Sequence, residues 1–309
     1  MPAFLITLAT GVQGTAIANE LRQAGHEVHA FVRDRHAPRA IALENIGVKL
    51  FEGSLDDRAA IGEAATGTTG IFWNLPPLRD ISTDWPRQTH TVLQAASQTG
   101  TVTTVVFSTA FHTGRHPEWV ERKPDYVSAA YYDVKYRCEQ IVLESGFEHI
   151  TILRPSWLMN NYIAPYASYH FPELATEQNL VSAFQPDAQM PNISPGDVGK
   201  FAAAALLHPE QYAGRQIELG NENLTIEEVS MIISRVAGVA QVKHRCRNLE
   251  EIIEAQDKVL TQQFHIMANE QDMTIDPKSL AEYGITLTSL EEYLTKERKA
   301  LMEGLGLVE

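Results

Sequence analysis

Tyr131 and Lys135 are the two side chains of this sequence that are best suited to proton transfer. They lie four residues apart in the stretch YYDVK, so in a helix both side chains share one face. A lysine ammonium beside a phenol lowers the phenol pKa from about 10 toward the working range, and such a phenol can give or take a proton. We therefore predict a catalytic Tyr131–Lys135 pair. The alternative is an ordinary helix surface, because Tyr132 and Tyr136 lie close by.

A glycine turn near the start of the sequence is the best candidate for binding a ligand. The stretch TLATGVQG (7–14) carries the spacing A-x-G-x-x-G between an apolar run and a helical pattern. Gly11 lets the backbone approach a pyrophosphate, and Gly14 lets the helix pack close to the strand. The helix N-terminus adds free N–H donors and a partial positive charge. With Thr10 and Gln13 in the same turn, these glycines predict a dinucleotide site; the alternative is that they are ordinary turn glycines.

The end of the second predicted strand indicates which dinucleotide would bind. A carboxylate at this point holds the ribose 2′-hydroxyl of NAD, whereas an arginine accommodates the 2′-phosphate of NADP. The stretch FVRDRHAPR (31–39) surrounds the single Asp34 with basic side chains, namely Arg33, Arg35, His36 and Arg39. Guanidinium groups suit bidentate phosphate contacts, so we predict NADP, with Arg33 as the first candidate. The alternative is a solvated basic loop.

The elements that must position these residues alternate between strands and helices. Strands are predicted at 3–7, 26–34, 48–53, 70–77, 102–110 and 149–155, with a late strand at 214–220. Helices are predicted at 13–24, 37–47, 56–67, 85–100, 128–146 and 196–209. Most strands are continuous β-branched runs, which is typical of strands buried on both faces. The pattern predicts an α/β fold, a doubly wound parallel sheet with helices on each side.

The alternation stops after residue 155, which predicts a second, smaller lobe. Residues 156–195 are aromatic and loop-like, and three helix starts follow, where Thr225, Asn248 and Thr288 each precede a glutamate by three residues. We predict a nucleotide-binding domain over 1–155 plus about 193–222, and a mostly helical substrate lobe over about 156–192 and 223–309.

Composition excludes several classes of protein. The 309 residues are 44% apolar and 21% charged, as in an ordinary globular protein, and the formal net charge of −14 argues against nucleic acid as a partner. Two cysteines, Cys138 and Cys246, form neither a disulfide framework nor a zinc motif. The apolar start lacks a signal-peptide pattern, and no run is long enough to span a membrane. We expect a cytoplasmic protein with no bound metal; its oligomeric state is left open.

An ordered set of motifs is similar to those of the NmrA-like family of atypical short-chain dehydrogenases/reductases. The matching stretches between residues 7 and 209 are TLATGVQG, HEVHAFVRD, EGSLDD, GIFWNLPP, YYDVK, LRPSWLMNN and ISPGDVGKFAAAALLHP. The resemblance implies a Rossmann domain that binds NADP(H), with the small lobe closing a cleft over the nicotinamide. It also implies that Lys135 contacts the nicotinamide ribose. Leu8 stands where the family has its first glycine.

The resemblance implies further cofactor contacts at the ends of the third and fourth strands. Asn74, Leu75 and Pro76 would line the cofactor cleft. Ser54 and Leu55 lie where the family approaches the adenine, with Ser54 in place of the usual carboxylate.

The substrate side is predicted from hydroxyls and aromatic residues. Short-chain dehydrogenases hold the substrate oxygen with a hydroxyl after the fifth strand, where VVFSTAFH offers Ser108 and Thr109, although the family's position falls on Ala110. His112 follows in a loop over the same side of the sheet. His116 lies four residues further on, but Gly114 and Pro117 argue against a helix here, and we do not expect the two histidines to bind a metal. The remaining substrate candidates are Trp157, Asn160 and Asn161, in a segment whose rings would form an apolar wall.

Three functions fit this sequence. The first is an NADPH-dependent reductase of a small apolar or polycyclic organic substrate (C=O, C=N or activated C=C) in specialised metabolism. The second is a non-redox NADP-binding isomerase that uses the same pocket. The third is an NADP-sensing regulatory protein without turnover.

Overall fold

The computed structural model describes residues 2–75, 84–255 and 261–307. The chain divides into two compact units. Unit 1 comprises Met1–Pro117, Ala130–Pro155 and Pro195–Glu218, and unit 2 comprises Glu118–Ala129, Ser156–Ser194 and Leu219–Glu309. Residues 118–129, which the sequence-based division placed in the first domain, fall in unit 2.

The described residues form the following strands and helices. The strands are β1 (Ala3–Ile6), β2 (Glu27–Val32), β3 (Lys49–Glu52), β4 (Thr68–Asn74), β5 (Thr104–Ser108), β6 (His149–Pro155), β7 (Trp157–Leu158), β8 (Asn179–Ser182), β9 (Met190–Ile193), β10 (Gln216–Leu219), β11 (Glu222–Leu224) and β12 (Lys243–Cys246). The helices are α1 (Val12–Gln23), α2 (Pro38–Asn45), α3 (Arg58–Ala65), α4 (Trp85–Ser97), α5 (His116–Arg122), α6 (Ala129–Leu143), α7 (Ala167–His170), α8 (Leu174–Glu177), α9 (Pro195–Leu207), α10 (Pro209–Tyr212), α11 (Ile226–Ala237), α12 (Leu249–Ala255), α13 (Gln262–Glu270), α14 (Leu290–Lys296) and α15 (Arg298–Gly304).

A seven-stranded sheet in the order β10-β6-β5-β4-β1-β2-β3 forms the centre of unit 1. Strands β1 to β6 pair in parallel, and every residue of β1 and β5 is buried. This confirms the doubly wound parallel sheet. The strand order reverses beside β1, and ligands of such sheets bind at the carboxyl ends of the strands near this reversal. The glycine turn begins at that end of β1.

Helix α9 packs closely against α1 within unit 1. A Cβ added at Gly199 would lie 2.8 Å from the Cβ of Ala16, so the two helices approach each other at small residues. This contact fixes the helix that follows the glycine turn.

Unit 2 contains two small sheets and most of the later helices. One sheet has the order β11-β9-β7 and the other pairs β12 with β8. The segment 156–195, expected to be loop-like, therefore contains three short strands, two short α-helices and a 3-10 helix at Met159–Tyr162. A helical turn also begins at His116, contrary to the expectation from Gly114 and Pro117, because proline is compatible with the first turn of a helix.

Two of the three expected helix caps in unit 2 are confirmed, and the third is shifted. Thr225 forms a full capping box with Glu228, and Asn248 exchanges hydrogen bonds with Glu251. The cap of α14 is Ser289, which pairs with Glu292, so the expected pair of Thr288 with Glu291 is wrong by one residue. Glu291 instead forms a bidentate ion pair with Arg235, in which both N–O distances are 2.8 Å.

None of the helices within the described ranges 2–75, 84–255 and 261–307 combines the length and the apolar character needed to cross a membrane.

Candidate functional site

The glycine turn in unit 1 has the geometry of a phosphate-binding turn. Gly11 is the N-cap of α1 in an extended conformation, and none of the described side chains caps the first N–H groups of the helix. A Cβ at Gly14 would lie 2.6 Å from the carbonyl oxygen of Leu8 and 2.7 Å from Cα of Ala9. A Cβ at Gly11 would lie 3.1 Å from the same oxygen. The turn therefore excludes a side chain at Gly14, is tight at Gly11, and leaves the helix N-terminus available to an anion.

Leu8 adopts a left-handed backbone conformation, with φ of +46°. Glycine adopts this conformation without strain, whereas an L side chain costs roughly 1–2 kcal/mol there. This explains why the motif that the turn resembles has glycine at the position of Leu8. The turn closes nevertheless, because the Gly11 N–H donates to the Leu8 carbonyl oxygen at 2.9 Å.

Gln13 connects the glycine turn to the end of β5. The Ser108 hydroxyl donates to Oε1 of Gln13 at 2.7 Å, and both side chains are buried. Ser108 was predicted to hold a substrate oxygen, but the structure directs its hydroxyl to the turn. Its contact makes Ser108 a residue that positions the first turn of α1.

The basic segment after β2 includes two arginines, Arg33 and Arg39, that are candidates to hold a phosphate at the turn. The Arg39 guanidinium donates to the carbonyl oxygen of Thr10 at 3.2 Å, which ties it to the glycine turn. Arg33 is exposed at the end of β2. Arg35 differs, because its guanidinium lies 3.7 Å from the carboxylate of Glu44 on α2. The structure therefore adds Arg39 to Arg33 as a candidate.

The other predicted cofactor residues that the structure describes lie at the ends of β3 and β4. Ser54 is exposed, and its hydroxyl accepts from the backbone N–H of Asp56 in a turn that precedes α3; Leu55 is half-buried within the same turn. The Asn74 side chain accepts from the backbone N–H of Leu75 at 2.8 Å, and Leu75 is buried. Pro76 lies outside the described residues.

Tyr131 and Lys135 are both buried on one face of α6 in unit 1. The ammonium nitrogen of Lys135 lies 5.5 Å from the centroid of the Tyr131 ring and 5.2 Å from that of Trp85, so it contacts ring faces. Burial lowers the pKa of Lys135 to about 8. Burial also raises the pKa of Tyr131 well above its ordinary value, so the predicted decrease is wrong. Desolvation of the phenolate outweighs the attraction of the lysine, and the phenol keeps its proton at neutral pH.

A buried charge network surrounds Thr109, and sequence reasoning did not find it. The Thr109 hydroxyl and the Arg154 guanidinium both donate to the carboxylate of Glu139, which is fully buried. Arg154 also donates to Glu218 at 3.0 Å and to Gln216 at 2.7 Å. Thr109 is thus bound to a structural carboxylate. The available signal was an arginine among the apolar residues of the predicted strand HITILRP, because a buried guanidinium requires a carboxylate partner.

His112 is held at the edge of this network in a left-handed conformation, with φ of +59°. Its backbone N–H donates to Oε2 of Glu218 at 2.8 Å, and its Nδ1 lies 3.7 Å from the same oxygen. Burial raises the pKa of Glu218, although the contacts with Arg154 and His112 act in the opposite direction. The network therefore fixes the loop that follows β5.

The remaining predicted substrate residues belong to unit 2. Trp157 and Asn160 are buried, and Asn161 is half-buried. Oδ1 of Asn161 accepts from the side-chain amide of Asn160 at 3.4 Å.

The comparisons with known proteins agree with this geometry. The model of the NmrA-like family matches residues 3–294. The chain belongs to the NmrA-like family. Among curated proteins, this NmrA-like chain is 30% identical over 154 residues to agroclavine dehydrogenase of Claviceps fusiformis. That alignment covers 49% of the chain and 48% of the dehydrogenase, so it spans about half of that relative.

A second relative aligns over a longer stretch. The (4-alkanoyl-5-oxo-2,5-dihydrofuran-3-yl)methyl phosphate reductase of Streptomyces griseus is 25% identical over 234 residues, which cover 76% of the NmrA-like chain and 73% of the reductase. Among solved structures, the NADPH-dependent quinone oxidoreductase of Escherichia coli in complex with NADPH superposes with a TM-score of 0.75 at 20% identity, covering 96% and 99% of the two chains. At this identity the superposition shows a shared fold.

Proposed function

We propose that this chain is an NADPH-dependent reductase of a small apolar or polycyclic organic substrate, with a C=O, C=N or activated C=C bond as the reacting group. The observation that carries the proposal is the pairing, within unit 1, of an uncapped glycine turn with a buried, protonated Tyr131 beside Lys135. Relatives named as a dehydrogenase and a reductase support the same class of reaction.

The turn fits the diphosphate of a dinucleotide. Gly11 and Gly14 bring the backbone within reach of a pyrophosphate, and the N–H groups of the first turn of α1 would donate to it. Arg33 and Arg39 would hold the 2′-phosphate, which favours NADP over NAD. NADPH, when bound, supplies the hydride.

Tyr131 would donate the proton that accompanies reduction. A phenol whose pKa is raised stays protonated at neutral pH, so Tyr131 would hold the proton that the reaction consumes. Lys135, with a pKa of about 8, is mostly charged at neutral pH and would contact the cofactor ribose. The pair is therefore in the protonation state from which reduction would start.

One observation favours the non-redox isomerase as the second candidate. The hydroxyls of Ser108 and Thr109 are both bound within unit 1, to Gln13 and Glu139, so neither matches the hydroxyl that a short-chain dehydrogenase offers to its substrate. An isomerase would need Tyr131 for acid–base work and no change in the redox state of the cofactor.

The test is turnover with NADPH against a panel of aromatic ketones, cyclic imines and enones. We expect substrate-dependent loss of NADPH absorbance, and we expect Tyr131→Phe to lower kcat by about 100-fold or more because the proton donor is lost. Tyr136→Phe on the same helix is the matched control. Product formation without NADPH oxidation would support the isomerase, and NADPH binding without any turnover of the panel would oppose both enzymes.

A further inference from the structure

Glu139 lies on the same buried face of α6 as Tyr131 and Lys135. The three residues follow one another at intervals of four along one continuous helix, a spacing that places successive Cβ atoms about 5–6 Å apart. Lys135 is 5% exposed and Glu139 is 0% exposed. A buried acidic side chain therefore lies one helical turn from the buried lysine.

The side chain of Glu139 is held as a carboxylate. The Arg154 guanidinium donates to it from Nε at 2.9 Å and from Nη2 at 2.6 Å, and the Thr109 hydroxyl donates to Oε1. Bidentate donation by a guanidinium stabilises the ionised form of a carboxyl group. Arg154 also forms an ion pair with Glu218 at 3.0 Å. One guanidinium is thus shared between two carboxylates, and its single positive charge does not neutralise both.

The groups in contact with the Lys135 ammonium carry no negative charge at neutral pH. Its nitrogen contacts the ring of Tyr131 on α6, whose phenol is protonated, and the uncharged indole of Trp85 on α4. Burial lowers the pKa of Lys135 to about 8, while Cys138 and Glu139 act in the opposite direction. The Cys138 thiol is neutral at pH 8, because burial raises its own pKa to about 11. Among the described groups that act on this lysine, Glu139 therefore supplies the negative charge.

We propose that Glu139 is a positioning residue, which keeps Lys135 in its ammonium form so that the lysine can donate to the ribose of NADPH. The inference rests on the proposed function, in which Lys135 contacts that ribose. A buried lysine without an anion nearby loses its proton more readily, and the neutral amine is a weaker donor than the ammonium ion. Thr109 and Arg154 contribute by holding the carboxylate in place.

Urea unfolding of the chain without cofactor tests the coupling of Glu139 to Lys135. The free energy of unfolding of the wild type should begin to rise at about pH 8, where folded Lys135 loses a proton that an unfolded lysine keeps until about pH 10.4. We call the pH at which this rise begins the onset. An opposite charge nearby changes a pKa by about 1–3, and Arg154 offsets part of the charge of Glu139, so Glu139→Gln should move the onset to about pH 7. Adding Lys135→Met to this variant should abolish the rise.

Glu218→Gln is the matched control for Glu139→Gln. It removes the other carboxylate that Arg154 binds, but Glu218 lies on β10 and not on the buried face of α6. Its onset should stay at about pH 8. The double variant Glu139→Gln/Arg154→Met replaces the buried ion pair with uncharged side chains, a change that often preserves stability, and it serves if Glu139→Gln alone does not fold. Its onset should also lie at about pH 7.

Calorimetric titration with NADP⁺ adds a second measurement, in which a damaged fold and a lost charge give different results. Moving the pKa of Lys135 from about 8 to about 7 lowers its protonated fraction about 3-fold at about pH 7.5. Glu139→Gln should therefore bind NADP⁺ about 3-fold more weakly at about pH 7.5 and as tightly as the wild type at about pH 6, where the lysine of both chains is charged.

Three results would overturn the proposal. They are an onset at about pH 8 in both Glu139→Gln and the double variant, an equal movement of the onset in Glu218→Gln, or a loss of NADP⁺ affinity in Glu139→Gln that persists at about pH 6. A lowered onset in a chain that oxidises no NADPH with any substrate would refute the proposed function and leave the coupling of Glu139 to Lys135 supported.

Discussion

Alanine at Gly14 would test whether the glycine turn requires the close approach seen in the structure. The new Cβ would lie 2.6 Å from the Leu8 carbonyl oxygen and 2.7 Å from Cα of Ala9. Both are backbone atoms, so no flexible side chain can move aside. Gly62→Ala is the matched control, because Gly62 is also a helical glycine and its added Cβ would have nothing within 4 Å.

The magnitude follows from two opposing terms. Alanine stabilises a helix over glycine by about 0.5–1 kcal/mol, and this term acts at both sites. Overpacking typically costs about 1–3 kcal/mol, and it acts only at Gly14, where we take the upper end because the contacts are with backbone. Gly14→Ala should therefore destabilise unit 1 by about 2 kcal/mol, and Gly62→Ala should stabilise it by up to about 1 kcal/mol.

The assay is thermal unfolding of both variants, followed by titration with NADPH. A gap of about 3 kcal/mol corresponds to roughly 6–12 °C in Tm for a domain of this size. Because the turn must shift to admit the methyl group, Gly14→Ala should also lose at least about 10-fold in NADPH affinity, whereas Gly62→Ala should retain wild-type affinity. Equal Tm values and equal NADPH affinities for the two variants would refute this description of the turn.

Three further predictions concern buried charge and helix capping. Because the pKa of folded Lys135 is about 8 and that of an unfolded lysine is about 10.4, the unfolded chain binds more protons between these values, and stability should rise by roughly 2 kcal/mol from about pH 8 to about pH 9.5. Urea unfolding at the two pH values checks this, and Lys135→Met should abolish the rise. Arg154→Met leaves the carboxylate of Glu139 buried without its guanidinium and should cost about 3–5 kcal/mol in urea unfolding, while a loss below about 1 kcal/mol would contradict the network. Ser289→Ala should lower the free energy of unfolding by about 1 kcal/mol and Thr288→Ala by far less. A larger loss for Thr288→Ala than for Ser289→Ala would indicate that Thr288 caps α14, as expected from the sequence.

Local patterns were sufficient to predict the sheet and the glycine turn. Apolar β-branched runs indicated the six parallel strands, and the A-x-G-x-x-G spacing indicated the turn, because both depend on residues that are neighbours in the sequence. The shifted cap at Ser289 shows the limit of such patterns. TSLEE contains two overlapping capping boxes, and the ion pair of Glu291 with the distant Arg235 accompanies the choice of the second.

Long-range contacts account for what the sequence did not reveal. Thr109 and Arg154 meet Glu139 only after β5, α6 and β6 have assembled, so Thr109 looked like a free hydroxyl. The direction in which the pKa of Tyr131 shifts depends on the burial of its side chain, and the four-residue spacing to Lys135 gives no information about burial.

The central claim is that the turn at the start of α1, with arginines from the segment after β2, binds the phosphates of NADPH. Calorimetric titration of NADPH and NADH into the wild-type chain and into Arg33→Ala, Arg39→Ala and the control Arg35→Ala tests it most directly. Loss of a charged contact to phosphate costs about 1.5–3 kcal/mol, so we expect Arg33→Ala and Arg39→Ala to weaken NADPH binding by about 10- to 100-fold with little change for NADH. Arg35→Ala should match the wild type. A well-folded chain that gives no heat with millimolar NADPH or NADP⁺ would contradict the claim.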